Sequence, residues 1–450
     1  MFIRFAKKPE TLNESLSPVS IGDLYQLYLK HPSICTDTRH VQKGDLFFAL
    51  KGERFNGNLF AAQALDNGAA YAIIDETPAT TNDRLLMVKD VLSCLQDLAA
   101  HHRDQFTIPF IAITGSNGKT TTKELIHAVL SEKYKTYTTE GNLNNHIGIP
   151  LTLLKIKKDA EIAIVEMGAN HLSEIEGYCI YTRPTHGLIT NCGKAHLEGF
   201  GSLEGVKKAK GELFDYLRAY GGSAFVMWDY EYLQQMSKGI REVFTYGTNH
   251  ADITGIVEEA TPFLRVKITK GNSAGTIQTR LTGDYNLPNV LAAVCLGNYF
   301  KVTSADIKKG IENYTASNSR SQLVKAGTNF IILDAYNANP SSMSLAIKNF
   351  MQYPAADKIL LLGAMAELGA DSISEHEQIL KQIKAGTWKE VVLVGGDFLK
   401  LNHPYQSFTT AEEAGQWVKS RSFQNTAFLV KGSRSMQMEK AIESLRPKTM

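Results

Sequence analysis

The feature that most constrains this chain is the stretch 114–122, which reads Thr-Gly-Ser-Asn-Gly-Lys-Thr-Thr-Thr. It follows the apolar run 110–113, typical of a buried β-strand, and precedes a helical pattern over 124–130. Strand, short loop and helix in this order form a phosphate cradle, because backbone N–H groups and the helix N-terminus point at one anion. Lys119 adds a positive charge, and Thr120 offers a hydroxyl to a magnesium ion. A nucleotide is therefore the first ligand to consider.

The spacing of this loop departs from the common P-loop. The pattern G-x-x-x-x-G-K-[ST] would put a glycine at position 113, where this chain has Ile113. The loop is therefore interpreted as a shortened variant. The alternative is a Gly-Ser turn with an accidental lysine, and it does not explain the order of strand, loop, Lys-Thr and helix.

Length and composition indicate a large globular protein. A chain of 450 residues exceeds one hydrophobic core and predicts about three domains. The hydrophobic fraction of 43% and the charged fraction of 21% are ordinary for a globular protein. A formal charge of +2 argues against a broad basic face for nucleic acid. The five cysteines contain no Cys-x-x-Cys pair, which argues against a disulfide framework and a zinc site.

The sequence carries no signal for export or membrane insertion. Residues 1–10 lack the continuous apolar stretch of a signal peptide. No apolar run reaches the length of a bilayer span. We therefore predict a cytoplasmic protein without a membrane span.

The patterns predict an α/β fold with three domains. Residues 1–106 form a small α/β unit, with a strand at 70–74 and a helix near 59–67. The central domain, 107–317, carries short apolar runs typical of buried parallel strands. Alternating stretches within 251–283 predict a small antiparallel meander beside this mostly parallel sheet.

A polar stretch at 317–322 is interpreted as an interdomain linker. Beyond it, domain 318–450 repeats a strand followed by a helix, which predicts a second, Rossmann-like parallel sheet with crossover helices. The predicted pairs are 330–333 with 341–351, 359–362 with 374–384, 391–394 with 411–420, and 428–430 with 436–445.

Polar side chains follow two central strands. Glu166 ends the run 162–165 at the sheet edge where open α/β folds place ligands, so it is a candidate magnesium ligand. The alternative is a solvated carboxylate at a strand end. The loop after 187–190 brings Lys194 and His196 to the same edge, and this shared edge favours function over a structural histidine.

Three further groups have two readings each. The lysines within 205–212 fit an exposed basic helix face as well as a site. Asn286 and Asn289, one turn apart, could read a base edge or cap a helix. The stretch 334–340, Asp-Ala-Tyr-Asn-Ala-Asn-Pro, is dense in polar groups that suit turns or ligands.

Several motifs together resemble the Mur ligases of peptidoglycan synthesis, and the resemblance spans essentially the whole chain. These motifs are 114–122, 140–146, 166–170, 193–196, 208–212 and 283–293. Within the family, 334–340, 362–369 and 430–435 are similar to the branch that adds D-alanyl-D-alanine to UDP-N-acetylmuramoyl-tripeptide. The segments 36–39 and 44–52 resemble its uridine-nucleotide-binding domain.

The resemblance implies a role for each matching position. ATP would lie on Gly115, Ser116, Asn117, Gly118, Lys119, Thr120 and Thr121, with Asn286 and Asn289 beside adenine and Arg320 and Asp334 closing over the nucleotide. Two magnesium ions are expected, one at Thr120 and Glu166 and one at His196. Lys210 matches a carbamylated lysine, and a carbamate supplies the anionic oxygen that an ammonium lacks. Lys119, His196 and Lys210 are the expected catalytic residues. Tyr285 departs from the family, since many relatives have histidine there.

The implied substrate contacts are Thr38, Arg39, Asn142, Asn145, Tyr336, Asn337 and Asn339.

The implied reaction forms an acyl phosphate on the tripeptide carboxylate, and the amine of D-alanyl-D-alanine then displaces phosphate. The resemblance also implies a monomer that serves cell-wall synthesis and hence cell shape and division. The alternatives are another ligase of the same fold, either an earlier Mur enzyme or a folylpolyglutamate synthase, and a nucleotide-binding switch that forms no amide.

Overall fold

A computed structural model describes residues 19–78, 82–316 and 319–445. Predictions on the remaining positions, which include residues 1–10 and the first two linker residues, lie outside the described residues. The first compact unit runs up to Phe106 and includes Leu153–Lys155, and the second contains Thr107–Thr152 and the chain from Ile156 onward. No helix in the described ranges is both long and apolar enough to cross a membrane.

The first unit contains a parallel sheet of four strands in the order β1-β2-β5-β6, and a separate antiparallel pair, β3 and β4. Its core gathers Phe47 and Ala72 from the sheet and Leu65 from a helix, which agrees with the apolar runs of the sequence. The elements are α1 Ile21–Lys30, β1 Ile34–Cys35, β2 Leu46–Phe48, β3 Lys51–Gly52, β4 Phe55–Asn56, α2 Ala61–Asp66, β5 Tyr71–Ile74, β6 Leu85–Met87 and α3 Val91–Arg103.

The second unit begins with a nine-stranded sheet in the order β15-β14-β13-β12-β11-β10-β7-β9-β8. Its strands are β7 Phe110–Thr114, β8 Thr136–Thr138, β9 Ile162–Glu166, β10 His186–Ile189, β11 Ser223–Met227, β12 Glu242–Gly247, β13 Ile253–Glu259, β14 Arg265–Lys270 and β15 Thr276–Gln278. The strands from β8 to β13 run parallel, and β13, β14 and β15 form the antiparallel meander predicted from the sequence. The meander is continuous with the main sheet, because β12 pairs with β13.

The helices of this part cover the sheet. They are α4 Lys119–Leu130, α5 Gly148–Leu154, α6 Glu174–Thr182, α7 Leu197–Phe200, α8 Leu203–Tyr220, α9 Glu231–Met236, α10 Leu287–Tyr299 and α11 Ser304–Asn313. Helix α4 packs against α10 and α11, whereas α8 packs against α6. Helix α8 begins where Ser202 accepts a hydrogen bond from Gly205 N and ends at Gly221, which has a left-handed φ of 71°.

The register of the parallel strands places the predicted site residues side by side. Strand β7 lies between β9 and β10, with Ile113 opposite Glu166 and Thr114 opposite Ile189. The carboxyl ends of β7, β9 and β10 therefore form one edge, which we call the central edge. Every residue of β7, β9 and β10 is buried, as expected for short parallel strands that are covered on both faces.

A second sheet follows residue 318, with six strands in the order β16-β17-β21-β18-β19-β20. Its elements are β16 Gln322–Ala326, β17 Asn329–Asp334, α12 Pro340–Met351, β18 Asp357–Gly363, α13 Ser372–Lys384, β19 Glu390–Val394, β20 Gln406–Phe408, α14 Ala411–Arg421 and β21 Thr426–Lys431. All pairs are parallel except β16 with β17. The carboxyl ends of β17, β21 and β18 form the C-terminal edge. The α/β fold with parallel sheets is confirmed.

Two local predictions are wrong. The last predicted helix, 436–445, is instead a pair of 3-10 turns, Arg434–Met436 and Met438–Ile442. Gln437 separates them with a left-handed φ of 47°, which an α-helix cannot continue through. The end of the predicted linker starts strand β16, because Gln322 pairs with Leu333.

Candidate active site

The phosphate loop turns from β7 into α4 with a glycine at the helix start. Gly118 has a left-handed φ of 80°, and a Cβ at this position would lie 2.8 Å from Asn289 Oδ1. Only glycine fits both the conformation and the space. The loop therefore bends tightly enough to present the first N–H groups of α4, which have no partner within the helix, to an anion.

Polar groups after β10 hold the loop in place. Asn117 N donates to Asn191 Oδ1 at 3.1 Å, and Asn191 Nδ2 donates back to Asn117 O at 3.0 Å. Thr190 Oγ1 also donates to Asn117 O, at 2.6 Å. Ser116 Oγ bonds the N–H and the carbonyl of Gly193 at 3.0 and 2.9 Å. The loop is therefore fixed by its neighbours before any ligand arrives.

Lys119 folds back over the loop. Its Nζ donates to Gly115 O at 2.6 Å. Burial lowers the pKa of Lys119, the negative charge of Glu166 partly opposes this, and the charge of Arg320 adds to the lowering. Within the described ranges no carboxylate lies within ion-pair distance of this ammonium group. An anion bound in the phosphate loop would therefore supply the negative charge that Lys119 lacks as a partner within the protein.

Thr120 and Glu166, the predicted magnesium pair, are in direct contact. Thr120 Oγ1 donates to Glu166 Oε2 at 2.9 Å, and Asn144 Nδ2 donates to Glu166 Oε1 at 2.7 Å. Glu166 is 1% exposed, which contradicts the alternative of a solvated carboxylate. A hydroxyl and a carboxylate are hard oxygen donors of the kind that magnesium prefers.

The lysine cluster of α8 divides between surface and interior. Lys207 pairs with Glu204 at 2.6 Å and Lys208 is exposed, whereas Lys210 is 1% exposed. Lys210 Nζ donates to Ala169 O at 3.1 Å. Burial, followed by the charge of Lys119, lowers the pKa of Lys210 to about 7. The interpretation as an exposed basic face therefore fails for Lys210, because its side chain is buried.

His196 follows β10 with a left-handed φ of 51°. Its Nδ1 contacts the carboxylate of Glu367, which comes from the loop after β18. The His196 ring holds the pKa of Glu367 below its usual range. In the part of the chain that the structure describes, no group of three or more histidine, cysteine, aspartate or glutamate residues forms a metal-binding cluster. Thr120 and Glu166 are brought together, while His196 and Lys210 bond to other groups.

The two asparagines at the start of α10 continue a hydrogen-bond chain from the loop. Thr122 Oγ1 donates to Asn289 Oδ1 at 2.9 Å, and Asn289 Nδ2 donates to Asn286 Oδ1 at 2.8 Å. Asn286 Nδ2 in turn donates to Thr282 O at 2.8 Å. The Asn286 side chain makes no capping bond to α10, so capping is excluded for it and base reading stays a prediction.

Arg320 and Asp334 lie at the C-terminal edge. The Arg320 guanidinium stacks 3.6 Å from the centre of the Tyr336 ring. Asp334 accepts from Ser321 N at 3.0 Å and pairs with Lys431 Nζ at 2.5 Å. Ser321 Oγ also bonds Tyr285 OH at 3.0 Å, so the tyrosine makes a hydroxyl contact.

The asparagines before α12 organise the backbone. Asn337 Oδ1 accepts from Ala338 N at 2.9 Å. Asn339 Oδ1 caps α12 by accepting from Ser342 N, while Asn339 Nδ2 donates to Asn117 Oδ1 at 2.8 Å. Asn339 therefore joins the second sheet to the phosphate loop, and its predicted substrate contact stays a prediction.

Curated relatives match the chain over nearly its full length. It is 36% identical to the UDP-N-acetylmuramoyl-tripeptide–D-alanyl-D-alanine ligase of Escherichia coli, with 96% of this chain and 97% of the relative covered. The Bacillus subtilis protein of the same name is 34% identical, with 92% of each chain covered.

The chain belongs to the Mur ligase family.

Domain families and solved structures agree with this assignment. The matched families are described as "Mur ligase family, catalytic domain" at 32–103, "Mur ligase middle domain" at 113–297 and "Mur ligase, glutamate ligase domain" at 319–434. MurF from Acinetobacter baumannii is 31% identical with a TM-score of 0.85, over 96% of this chain and 99% of that one. MurF from Thermotoga maritima in complex with ADP is 25% identical with a TM-score of 0.82, over 93% and 97%. This Mur ligase is an ATP-dependent ligase.

The remaining predicted contacts of this Mur ligase are local. Arg39 is exposed and holds the Asp37 carboxylate with Nε at 2.9 Å and Nη2 at 2.6 Å, and Thr38 O accepts from Asn67. Asn145 Oδ1 accepts from Gly148 N at 2.9 Å at the start of α5, and Asn142 is exposed.

Sequence reasoning missed three residues of this Mur ligase that touch the site. Asn144 bonds Glu166, Lys431 pairs with Asp334, and Glu367 contacts His196. A signal existed in each case, since all three lie inside motifs that carry the family resemblance. The sequence pattern identified each motif but did not indicate which of its side chains contacts the site.

Proposed function

We propose that this Mur ligase joins D-alanyl-D-alanine to UDP-N-acetylmuramoyl-tripeptide, with conversion of ATP to ADP and phosphate, in the synthesis of peptidoglycan precursors. The observation that carries the proposal is the full-length similarity to ligases of that name, 36% over 96% of the chain. The phosphate loop with Lys119, and the buried Lys210 of α8, support the nucleotide half of the reaction. The cytoplasmic location and the monomeric state stay predictions.

We assign the nucleotide to the loop Gly115–Thr121, where the N-terminus of α4 and Lys119 face the phosphates. The Lys119 bond to Gly115 O is short, and an incoming phosphate offers a stronger, charged acceptor. Asn286 and Asn289 would meet adenine, and Arg320 and Asp334 would close over the nucleotide from the second sheet. The ADP complex of the Thermotoga maritima relative supports a nucleotide of this kind.

Two magnesium ions fit the donors that the chain offers. Thr120 and Glu166 would hold one ion, since both oxygens already face each other in a buried place. His196 and a carbamylated Lys210 would hold the other. The ions would screen the negative charges of the phosphates and of the attacking carboxylate.

The environment of Lys210 suits carbamylation. A neutral amine attacks carbon dioxide, a C–N bond forms, and one proton leaves, giving an N-carboxylate. The lowered pKa of Lys210 supplies the neutral amine near pH 7, and Ala169 O is its hydrogen-bond acceptor. The product carries a negative charge beside Lys119, whose positive charge disfavours the ammonium form.

In the reaction, a terminal carboxylate of the tripeptide attacks the γ-phosphorus of ATP and ADP leaves. The amine of D-alanyl-D-alanine then attacks the acyl carbon, phosphate leaves, and an amide forms. Lys119 would stabilise charge on the transferring group, because an ammonium group needs no reorganisation once the loop is fixed. The second sheet, which already contacts the loop through Asn339, would help exclude water that hydrolyses the acyl phosphate.

We assign the uridine nucleotide to residues 1–106, with Thr38 and Arg39 as contacts, and Asn142 and Asn145 to the tripeptide side. Arg39 is exposed and paired with Asp37, so a uridine nucleotide that binds Arg39 would share or displace this ion pair. The dipeptide would enter through residues 318–450, beside Tyr336 and the asparagines of 334–340.

The test is phosphate release by the full chain with ATP, magnesium and UDP-N-acetylmuramoyl-tripeptide, with and without D-alanyl-D-alanine. We expect release that depends on the dipeptide and a UDP-pentapeptide product in mass spectrometry. Release with a single amino acid instead would assign the chain to an earlier Mur step. Tight ATP binding without amide product would favour a switch and overturn the proposal.

A folylpolyglutamate synthase activity has less support. The Mycobacterium tuberculosis folylpolyglutamate synthase structure is 13% identical to this chain, which shows the fold alone. Adding a folate and glutamate to the same assay tests this alternative, and we expect no phosphate release.

A further inference from the structure

The contact between His196 and Glu367 joins two strained backbones. His196 has a φ of 51° and Glu367 a φ of 62°, both in the left-handed region that side chains rarely adopt. His196 belongs to the central edge, and Glu367 to the loop 364–368 after β18. Such strain persists where the surroundings enforce it, and it gathers at functional positions. The pair therefore requires an explanation beyond a surface ion pair.

A buried histidine fixes the loop that carries Glu367. Met365 N donates to His376 Nε2 at 3.0 Å, so this nitrogen keeps its lone pair. His376 Nδ1 then holds the proton and donates to Ser372 O at 2.7 Å. His376 is fully buried, and Ser433 Oγ holds the neighbouring carbonyl, Ala364 O, at 2.7 Å. The loop therefore presents Glu367 from a rigid base.

The chemistry of a metal-binding histidine gives this contact a role. An imidazole that offers one nitrogen to an ion keeps the other as an N–H donor, and a carboxylate there fixes the tautomer and the plane of the ring. Glu367 lies against Nδ1 of His196 and leaves Nε2 for the ion. This step rests on the proposed function, in which His196 holds one of the two magnesium ions.

We propose that Glu367 is a positioning residue through which the second sheet orients the His196 imidazole for its metal ion. Docking of the second sheet and completion of the metal site are then a single event. Half of the Glu367 side chain is exposed, so the carboxylate serves the ring without being needed for the core.

Simple docking between the two sheets is the competing explanation, and the chain offers a matched control for it. Lys194 Nζ pairs with Glu375 Oε1 at 2.6 Å, which is another ion pair between the loop after β10 and the C-terminal part of the chain, here helix α13. Glu375→Gln removes an ion pair across the same interface without touching His196. Both Glu367→Ala and Glu375→Gln therefore remove an ion pair, but only Glu367→Ala removes a contact to the His196 imidazole.

The experiment is a Mn²⁺ titration of the full chain, followed by electron paramagnetic resonance, in the presence of a non-hydrolysable ATP analogue. We expect Glu367→Ala to weaken one of the bound ions by roughly 10- to 100-fold, the range for partners of metal-binding histidines. Glu367→Gln should recover part of the affinity, because an amide oxygen in the place of the carboxylate can accept a hydrogen bond from Nδ1–H. Glu375→Gln should bind both ions as the wild type does. In a His196→Ala background, Glu367→Ala should cause no further loss.

Each other outcome overturns a defined statement. If the wild type binds no Mn²⁺ with the nucleotide analogue, the metal site of the proposed function fails. If the wild type binds two ions and Glu367→Ala binds them equally well or more tightly, the positioning role fails. Equal losses in Glu367→Ala and Glu375→Gln would reduce Glu367 to a docking contact.

Discussion

The central edge and the C-terminal edge are the same construction with opposite electrostatics. Both gather the carboxyl ends of parallel strands, and both bury a lysine there. At the central edge Lys119 and Lys210 donate to the carbonyl oxygens of Gly115 and Ala169. At the C-terminal edge Lys431 pairs with the Asp334 carboxylate at 2.5 Å.

The difference shows which edge awaits a ligand. A lysine that meets only carbonyl oxygens carries the penalty of burial in a lowered pKa, as Lys119 and Lys210 do. A lysine with a carboxylate partner has its charge balanced within the chain. The lysines of the central edge are therefore placed to receive anions. The lysine of the C-terminal edge is balanced by a carboxylate of the protein itself.

The largest expected effect is on catalysis at the central edge. Lys119→Ala should lower turnover by roughly 10³-fold or more, the scale known for a cation on a transferring phosphoryl group. The fold should persist, because the side chain bonds only one loop carbonyl. Phosphate release measures the first effect and circular dichroism the second. Near-normal release by the variant would remove Lys119 from the mechanism.

A second substitution separates the lysines of α8. Lys210→Ala should lower turnover by at least about 100-fold, since loss of even an outer partner of a metal site has roughly that effect. Short carboxylic acids such as acetate should restore part of the rate by supplying the missing oxygen donor. The exposed Lys208 is the matched control, and Lys208→Ala should retain wild-type turnover. Equal losses at the two positions would contradict a special role for the buried amine.

At the C-terminal edge the expected effect is on stability. Lys431→Met leaves the Asp334 carboxylate, which is only 17% exposed, without its cation and should lower the free energy of unfolding by about 3 kcal/mol. Urea denaturation measures this. The control is Lys389→Met, whose pair with Asp357 on the same sheet is exposed and should contribute less than about 1 kcal/mol. If both variants lose the same stability, the contrast between the edges is not electrostatic.

The last expected effect appears only at acid pH and concerns His186, at the opposite end of β10 from the site. Burial lowers the pKa of His186 to about 4, and its ring bonds Thr185 and Tyr299. Between its ordinary pKa of 6.5 and about 4 the unfolded chain binds a proton that the folded chain does not, so stability falls as the pH falls through this window. The loss should approach about 3 kcal/mol.

His186→Gln should therefore reduce the difference in unfolding free energy measured at pH 7 and pH 4.5. Turnover at pH 7 should stay close to wild type, because this histidine is structural. An unchanged pH difference in the variant would assign the acid sensitivity to other groups. A lowered pKa alone, in this view, does not mark a functional residue.

The sequence predicted the site where the pattern follows the backbone. Strand, loop and helix around Gly118 and the strand end at Glu166 were predictable, because buried parallel strands are short apolar runs and ligands gather at their carboxyl ends. The three asparagines of 142–145 were not separable by residue type, because the path of the backbone decides that Asn144 donates to Glu166 while Asn145 accepts from Gly148 N, the first residue of α5.

Contacts between distant segments were also beyond the pattern. Nothing in 317–322 indicates that Gln322 will pair with Leu333 and become a strand, since the partner strand supplies the hydrogen bonds. The same holds for Asn339, whose residue type suits a helix cap and whose second bond, to Asn117, depends on how two sheets meet.

The close contact between Gly118 and Asn289 couples the binding of phosphate to the recognition of the base. Asn289 Oδ1 fills the space that a side chain at 118 would need, and its amide continues to Asn286. A larger residue at 118 would therefore displace the amide pair proposed to meet the base. A substitution in the phosphate loop would therefore also change the preference of the enzyme for ATP over GTP. It would likewise weaken an inhibitor that mimics adenine, although the loop itself makes no contact with that inhibitor.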